Sequence, residues 1–324
     1  MAKADPFPEH LVPMLAKLAK LPASDAGWAA EVKWDGVRAL AYCRAGELRL
    51  ETRNLNDVTA QYPEVQGLAA QLGGRDAVLD GELVAFDAAG QPSFGRLQQR
   101  MHLLDEQLVR QRLAEYPVTY VLFDLLHFDG HSLLGEPYRR RRELLEALDL
   151  DGPSWQTPGY STGRLADLLA ATASQNLEGL VLKRLDSAYA PGKRNGDWLK
   201  VKNVGRQEFV IGGWEEGEGR RAGRLGALVL GWFDADGALR YAGKVGTGFS
   251  DRDLDELLER LRPLVRERNP FAGGRGPRAA HWVEPELVCE VEYRELTGDG
   301  LVRHGAFKGL REDKPAREVT LEVI

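Results

Sequence analysis

The chain has 324 residues, 43% hydrophobic and 28% charged, which is the balance of ordinary globular protein and the length of about two domains. Its net charge of −6 excludes a globally basic nucleic-acid binder, and a cut near residue 205 leaves −3 on either side, so any phosphate-binding charge has to be local. No apolar run approaches the roughly eighteen residues of a membrane helix, and Met1-Ala2-Lys3-Ala4-Asp5 lacks the apolar core of a secretory signal. Cys43 and Cys289 lie far apart without a CxxC partner, the pattern of two reduced core residues in a cytoplasmic protein. The six histidines show neither HxH nor HExxH spacing, so no zinc site is expected.

From the amino terminus, apolar or period-two runs predict strands over Trp28–Lys33, Leu48–Thr52, Ala77–Phe86, Val118–Leu125 and Gly179–Lys183. Helical periodicity covers Ser93–Leu113, Arg139–Leu148 and Thr162–Gln175, with Ser93 and Thr162 placed as caps. No regular βαβ rhythm holds, which points to an α+β fold. After about Gly205 the texture changes: five short strands are expected over Phe209–Trp214, Ala227–Phe233, Leu239–Val245, Leu287–Arg294 and Val302–Lys308. One amphipathic helix, Asp253–Arg268, interrupts them, with Ser250 and Asp253 as a capping box and Pro263 as a bend. Five strands and one helix suit a small barrel such as an OB-fold. The expected domains are therefore 1–205 and 206–324, with a hinge at Asn203-Val204-Gly205-Arg206 and a flexible basic loop at 273–278.

The segment Glu31-Val32-Lys33-Trp34-Asp35-Gly36-Val37-Arg38 places four charges in eight strand-like residues. Strand alternation would put Glu31, Lys33, Asp35 and Val37 on one face until Gly36 breaks the geometry. Taken alone, a lysine between two acids reads as a surface ion pair. As a nucleophile, its amine would need desolvation or nearby cations to shed its proton, and Lys183, Lys200 and Lys202 are available downstream. Attack on the α-phosphorus of ATP would then demand cations and metal-binding carboxylates around the phosphate.

Lys33-Trp34-Asp35-Gly36-Val37-Arg38 resembles the KxDGxR motif of the covalent nucleotidyltransferases, which include DNA ligases, RNA ligases and mRNA capping enzymes. Further matches follow in the family's order: Thr52-Arg53-Asn54, Leu79-Asp80-Gly81-Glu82-Leu83-Val84, Leu122-Phe123-Asp124-Leu125-Leu126, Glu178-Gly179-Leu180-Val181-Leu182-Lys183 and Trp198-Leu199-Lys200-Val201-Lys202. Tyr189-Ala190-Pro191-Gly192-Lys193-Arg194, Gly243–Phe249 and Phe307–Lys314 narrow the resemblance to the ligase module of bacterial ATP-dependent DNA ligase D. That resemblance implies a nucleotidyltransferase domain of antiparallel sheets with flanking helices, followed by an OB-fold barrel.

It also implies site roles. Lys33 would carry AMP, and Glu31 would help read the adenine edge by backbone or side chain. Arg38 would contact ribose or nick phosphate; otherwise it is an ion pair to Glu31 or Glu51. Arg53 would sense the 5′-phosphate through its forked guanidinium. Glu82 would hold the ribose hydroxyls, Phe123 would stack on adenine and Val181 would close the opposite face. Glu178, assisted by Asp35, would hold Mg2+ or Mn2+. Lys183, Lys200 and Lys202 would surround the α-phosphate, and Arg311 and Lys314 would orient the pyrophosphate after closure of the second domain. The run Arg139-Arg140-Arg141-Arg142 reads as solvated helix charge, with phosphate contact as the alternative.

The implied reaction is ATP-dependent sealing of 5′-phosphate/3′-hydroxyl nicks in DNA through a lysyl-AMP intermediate, in bacterial double-strand-break repair by non-homologous end joining. Alternatives are an RNA ligase or capping-type nucleotidyltransferase, and a non-catalytic nucleic-acid-binding module. Implied partners are nicked or broken duplex DNA, Ku, and the polymerase and phosphoesterase modules of ligase D. A monomer without membrane attachment, cytoplasmic and nucleoid-associated, is expected.

Overall fold

The structure, a computed structural model, describes residues 4–203, 205–217, 223–293 and 295–322. Its contacts separate two compact units, Met1–Asn203 and Val204–Val323. Val204, the centre of the expected hinge, lies outside the described residues, as does Arg294 at the end of an expected strand.

The first unit runs through β1 (Lys17–Leu18), β2 (Trp28–Val32), β3 (Val37–Arg44), β4 (Glu47–Thr52), α1 (Leu68–Gln71), β5 (Ala77–Ala85), α2 (Phe94–Gln98) and α3 (Glu106–Glu115). It continues with β6 (Val118–Phe128), β7 (His131–Ser132), α4 (Tyr138–Ala147), β8 (Trp155–Gln156), β9 (Ser161–Thr162), α5 (Leu165–Ser174), β10 (Gly179–Arg184) and β11 (Trp198–Lys202). Two mainly antiparallel sheets result, ordered β1-β11-β10-β2-β9 and β4-β3-β5-β6-β7, with β8 beside β6.

Alternation along β3 sends Val37, Ala39, Ala41 and Cys43 into the main core, with α1, α2 and α4 closing over the same cluster. Leu40 and Tyr42 point the other way, into a smaller cluster with Met14, Val78, Leu126, Tyr189 and Trp198. The first sheet buries Trp28, Ala30, Leu180, Leu182 and Val201 against Leu165 of α5. Its other face is charged, and the site forms there.

Several expectations need correction. The helix predicted over 93–113 is two helices, α2 and α3, separated by a connection in which His102 takes a left-handed φ of 58°. Ser93 occupies the cap position of α2 without a side-chain bond, whereas Asp105 does cap α3, accepting from the Leu108 N–H at 2.8 Å. Thr162 belongs to β9, and α5 starts after Arg164, so Thr162 caps nothing. Strands β3 and β11 had no counterpart in the sequence reading.

The second unit contains β12 (Gly205–Glu216), β13 (Leu225–Phe233), β14 (Leu239–Val245), α6 (Asp251–Leu261), β15 (His281–Trp282), β16 (Val288–Tyr293), β17 (Glu295–Leu296), β18 (Val302–Arg303) and β19 (Ala306–Leu310). Its main sheet has the order β14-β13-β12-β16-β19, and β15 also pairs with β12. Beyond β14, Thr247 accepts from the Phe307 N–H at 2.9 Å and donates its hydroxyl to the Gly305 carbonyl at 2.9 Å, curling the two edges towards each other. The Ser250/Asp253 capping box is present, and the apolar face of α6 buries Leu254, Leu257 and Leu261. Pro263 does not bend a long helix: α6 ends at Leu261 and Arg262–Leu264 forms a 3-10 turn. The strand predicted over 302–308 is split into β18 and β19. Cys43 and Cys289 are free and buried, as expected.

Candidate active site

Strand register builds the charged face. Val181 lies opposite both Glu31 and Lys200, Gly179 opposite Lys202, and Lys183 opposite Ala29 and Trp198. Directly opposed residues project to the same side of a sheet, so Glu31, Val181, Lys183, Trp198, Lys200 and Lys202 share one face. Lys33 follows one residue after β2 and continues its ladder, its N–H donating to the Gly179 carbonyl at 2.9 Å. The reading that kept Glu31, Lys33, Asp35 and Val37 on one strand is corrected here. The strand ends at Val32, the loop 33–36 turns away, and Val37 begins β3 in the other sheet.

Two glycines permit this geometry. A Cβ on Gly36 would stand 2.2 Å from the Leu83 carbonyl oxygen, and one on Gly179 would stand 2.0 Å from that of Val201. Gly179 also holds φ at 145°. The loop after Lys33 and the start of β10 are thereby drawn tightly onto their neighbours.

At one end of the face, the Lys33 ammonium donates to Glu178 Oε2, and Lys202 Nζ lies 3.3 Å from Glu178 Oε1. Lys33 keeps 21% of its side chain exposed while Glu178 keeps 2%. A buried carboxylate thus holds a lysine whose end reaches solvent.

At the other end, Lys183 Nζ lies 2.7 Å from Glu31 Oε2 and is 1% exposed. Tyr138 donates its hydroxyl to Glu31 Oε1. Burial lowers the Lys183 pKa from its usual value, with Glu31 pulling the other way. Lys183 therefore does not share the open phosphate-facing position expected for it, and Glu31 is a buried residue with both carboxylate oxygens in use.

Arg38 faces the same space from β3. It grips Asp80 with Nε to Oδ1 at 2.9 Å and Nη2 to Oδ2 at 2.5 Å, and its Nη1 donates to the Met14 carbonyl at 2.8 Å. Tyr189 adds a hydroxyl to Asp80 Oδ2 at 2.6 Å. Burial works against the Arg38 charge, yet Asp80 raises the guanidinium above its usual value. Its acid partner is Asp80, not Glu31 or Glu51; Glu51 is held by Arg49 and His10. Asp80, Tyr138 and Tyr189 were missed as site residues, although Asp80 and Tyr189 stand inside the quoted motifs.

Glu82 lies opposite Arg38 in register, and Phe123 sits on β6, partly buried, with the Arg38 guanidinium 5.2 Å from its ring centre. Arg53 lies in the turn after β4 at the edge of the second sheet, and Asp35 in the loop between β2 and β3, both half-buried. The arginine run of α4 is a further correction. Arg141 and Arg142 are wholly buried, and Arg141 forms a two-pronged pair with Asp124 at 2.7 and 3.0 Å; only Arg139 and Arg140 are solvated.

In the second unit, Arg311 follows β19 and clamps Asp313 with two bonds of 2.9 Å, and Lys314 Nζ lies 3.3 Å from Glu208. Burial opposes the Arg311 charge, and Asp313 raises its pKa well above the usual value.

Among the described residues no group of three or more His, Cys, Asp or Glu forms a metal cage. One buried carboxylate, Glu178, on a lysine-rich face fits a different arrangement, in which Mg2+ arrives on phosphate oxygens and takes one or two carboxylates from the protein. The lysines fit an adenine nucleotide's polyphosphate. No helix of the described residues is long and apolar enough to cross a membrane.

Comparison with known proteins agrees with this chemistry. Residues 13–202 match the family described as ATP dependent DNA ligase domain, and residues 221–314 match its C terminal region. The chain is 41% identical over 320 residues to the multifunctional non-homologous end joining DNA repair protein LigD of Mycobacterium tuberculosis, covering 97% of this chain and 40% of that one. The LigD of Pseudomonas aeruginosa is 41% identical over 326 residues, covering 98% of this chain and 37% of that one. The chain thus spans about 40% of the length of these curated relatives. A solved structure of mycobacterial DNA ligase D complexed with ATP and MES superposes with a TM-score of 0.70 at 39% identity, over 96% of this chain and 98% of that one. Its architecture is a nucleotidyltransferase fold with a carboxy-terminal OB-fold, of the α+β class. The chain belongs to the ATP-dependent DNA ligase family.

Proposed function

We propose that this chain seals 5′-phosphate/3′-hydroxyl nicks in duplex DNA at the expense of ATP, with Lys33 as the nucleophile. The observation that carries the reading is the end of the charged face where Lys33, partly open to solvent, meets buried Glu178 beside Lys202. The Lys33 amine, once free of its proton along the hydrogen bond to Glu178, attacks the α-phosphorus. An N–P bond forms, the bond to the bridging oxygen breaks, and pyrophosphate departs. Lys200 and Lys202 offset charge on the α-phosphate during that displacement. Glu178, assisted by Asp35, would hold Mg2+ or Mn2+, which supplies charge neutralisation on phosphate oxygens when bound.

Phe123 and Val181 enclose the adenine, and Glu82 holds the ribose hydroxyls. Because the donors of Arg38 are largely committed to Asp80 and Met14, its role becomes chiefly that of shaping the wall beside Glu82. Arg53 receives the nick 5′-phosphate, and Arg311 and Lys314 orient pyrophosphate from the second unit. AMP then passes to the 5′-phosphate, and the 3′-hydroxyl displaces it to close the strand. We assign the nucleotidyltransferase domain to 1–205 and the OB-fold domain to 206–324. End joining in a bacterial nucleoid, as a monomer working with Ku and with polymerase and phosphoesterase modules, is the setting this reading favours.

The test is incubation with α-labelled ATP or GTP and Mg2+ or Mn2+, followed by nicked DNA or nicked RNA. Covalent label from ATP on Lys33, lost as free AMP when nicked DNA is added and sealed, is the expected result. Label from GTP, sealing of RNA alone, or no covalent label would overturn it.

A further inference from the structure

The sequence motifs assign Lys183 to the phosphate with the other lysines, yet its surroundings are those of a structural cation. Its ammonium lies 4.3 Å from the ring centre of Phe123, 4.3 Å from that of Trp198 and 5.0 Å from that of Tyr138. It also lies 2.7 Å from Glu31 Oε2 and 3.4 Å from the Phe123 carbonyl, leaving little of its donor capacity for a ligand. Arg38 repeats the arrangement: its guanidinium stands 5.2 Å from both the Phe123 and Trp198 ring centres. Two cations, each neutralised by its own buried carboxylate, thus lie over the same two rings. The Trp198 indole N–H is buried without a hydrogen-bond partner among the described residues, so this ring is held by its faces rather than by its polar edge.

Resting on the reading of Phe123 as the adenine platform, we infer that Lys183 and Tyr138 are positioning residues for nucleoside binding. Through Glu31 and the cation over Phe123 they fix the platform, and Lys183 does not act on phosphate. Tyr138 saturates one oxygen of Glu31 and Lys183 the other, so Glu31 cannot swing out to meet the base, and the ammonium stays pinned against the phenyl ring. Adenosine, which has the base and ribose but no phosphate, separates the two roles of Lys183.

The experiment measures adenosine and ATP affinity, and self-adenylation kinetics, for the wild-type chain, Lys183→Met and Tyr138→Phe. Adenosine and ATP should weaken by the same factor, about tenfold for Lys183→Met and about threefold for Tyr138→Phe, the scale of a desolvated cation–π contact and one hydrogen bond. The KM for ATP should rise accordingly while the maximal adenylation rate changes less than about twofold, as for loss of uniform binding. Loss of ATP affinity with adenosine affinity intact would return Lys183 to the phosphate and overturn the inference, as would unchanged affinity for both. Should Lys183→Met not fold, Tyr138→Phe, which removes a single oxygen, decides by the same criteria. A wild-type chain that neither binds adenosine nor takes label from ATP overturns the parent reading; a labelled wild type with unaffected variants overturns only this one.

Discussion

Two lysine–glutamate pairs stand on one face of one sheet and have opposite characters. Lys33 meets Glu178 with its end at 21% exposure, while Lys183 meets Glu31 at 1%. Residue types are alike, and what differs is the cover. Tyr138, Phe123 and Trp198 roof the second pair, whereas the first has Lys202 beside it and reaches solvent. A closed pair holds shape and an open pair can exchange its partner for a substrate. Charged residues in a motif therefore do not declare their task until their solvent access is known.

That contrast can be broken most severely at the open end. Lys33→Ala should abolish covalent AMP labelling and nick sealing together, read by denaturing gel after incubation with labelled ATP, and residual label would contradict the assignment. Glu31→Ala strands a buried ammonium, and should cost about 3–5 kcal/mol of stability in urea unfolding. A loss below about 1 kcal/mol would mean that the closed pair is not closed. Glu178→Gln should reverse the pattern, lowering the adenylation rate about a hundredfold while costing no more than about 1–2 kcal/mol of stability, since its lysines reach water.

The weakest effect should come from a third pair, Arg311–Asp313 in the second unit. Burial opposes ionisation of Asp313, but Arg311 outweighs it and holds the carboxyl below its ordinary 3.8. A depressed folded value means stability gained above pH 3.8 and lost as the pH falls through the lower folded value. Asp313→Asn should therefore lower that unit's stability at neutral pH and change it little at low pH, which makes the acid limb shallower. An unaltered acid limb would show that the pair carries no such linkage.

The Ser250/Asp253 box, β14 and the Lys33 motif were legible because each is written in adjacent residues. The partner of Arg38 was not. Asp80 is 42 positions away and is chosen by the pairing of β3 with β5, which sets Arg38 opposite Glu82 and Leu40 opposite Asp80. Strand β11 escaped notice for a related reason. In Trp198-Leu199-Lys200-Val201-Lys202 the buried Trp198 shares its face with two half-buried lysines while Val201 is buried on the other, so no clean alternation of apolar and polar residues shows. The four arginines of α4 misled because composition cannot show that Asp124 awaits Arg141. The break between α2 and α3 was hidden by apolar spacing that continues through it.

The first residues of the chain deserve a practical reading. Asp5 bonds to Gly130, His10 to Glu51 and Leu11 to the Tyr42 hydroxyl, while the next turn of chain gives Arg38 the Met14 carbonyl and lays β1 beside β11. The family match begins only at residue 13. An expression boundary trimmed to that match would cut away a belt fastened to the second sheet, and a loss of activity would then report the scissors rather than the enzyme.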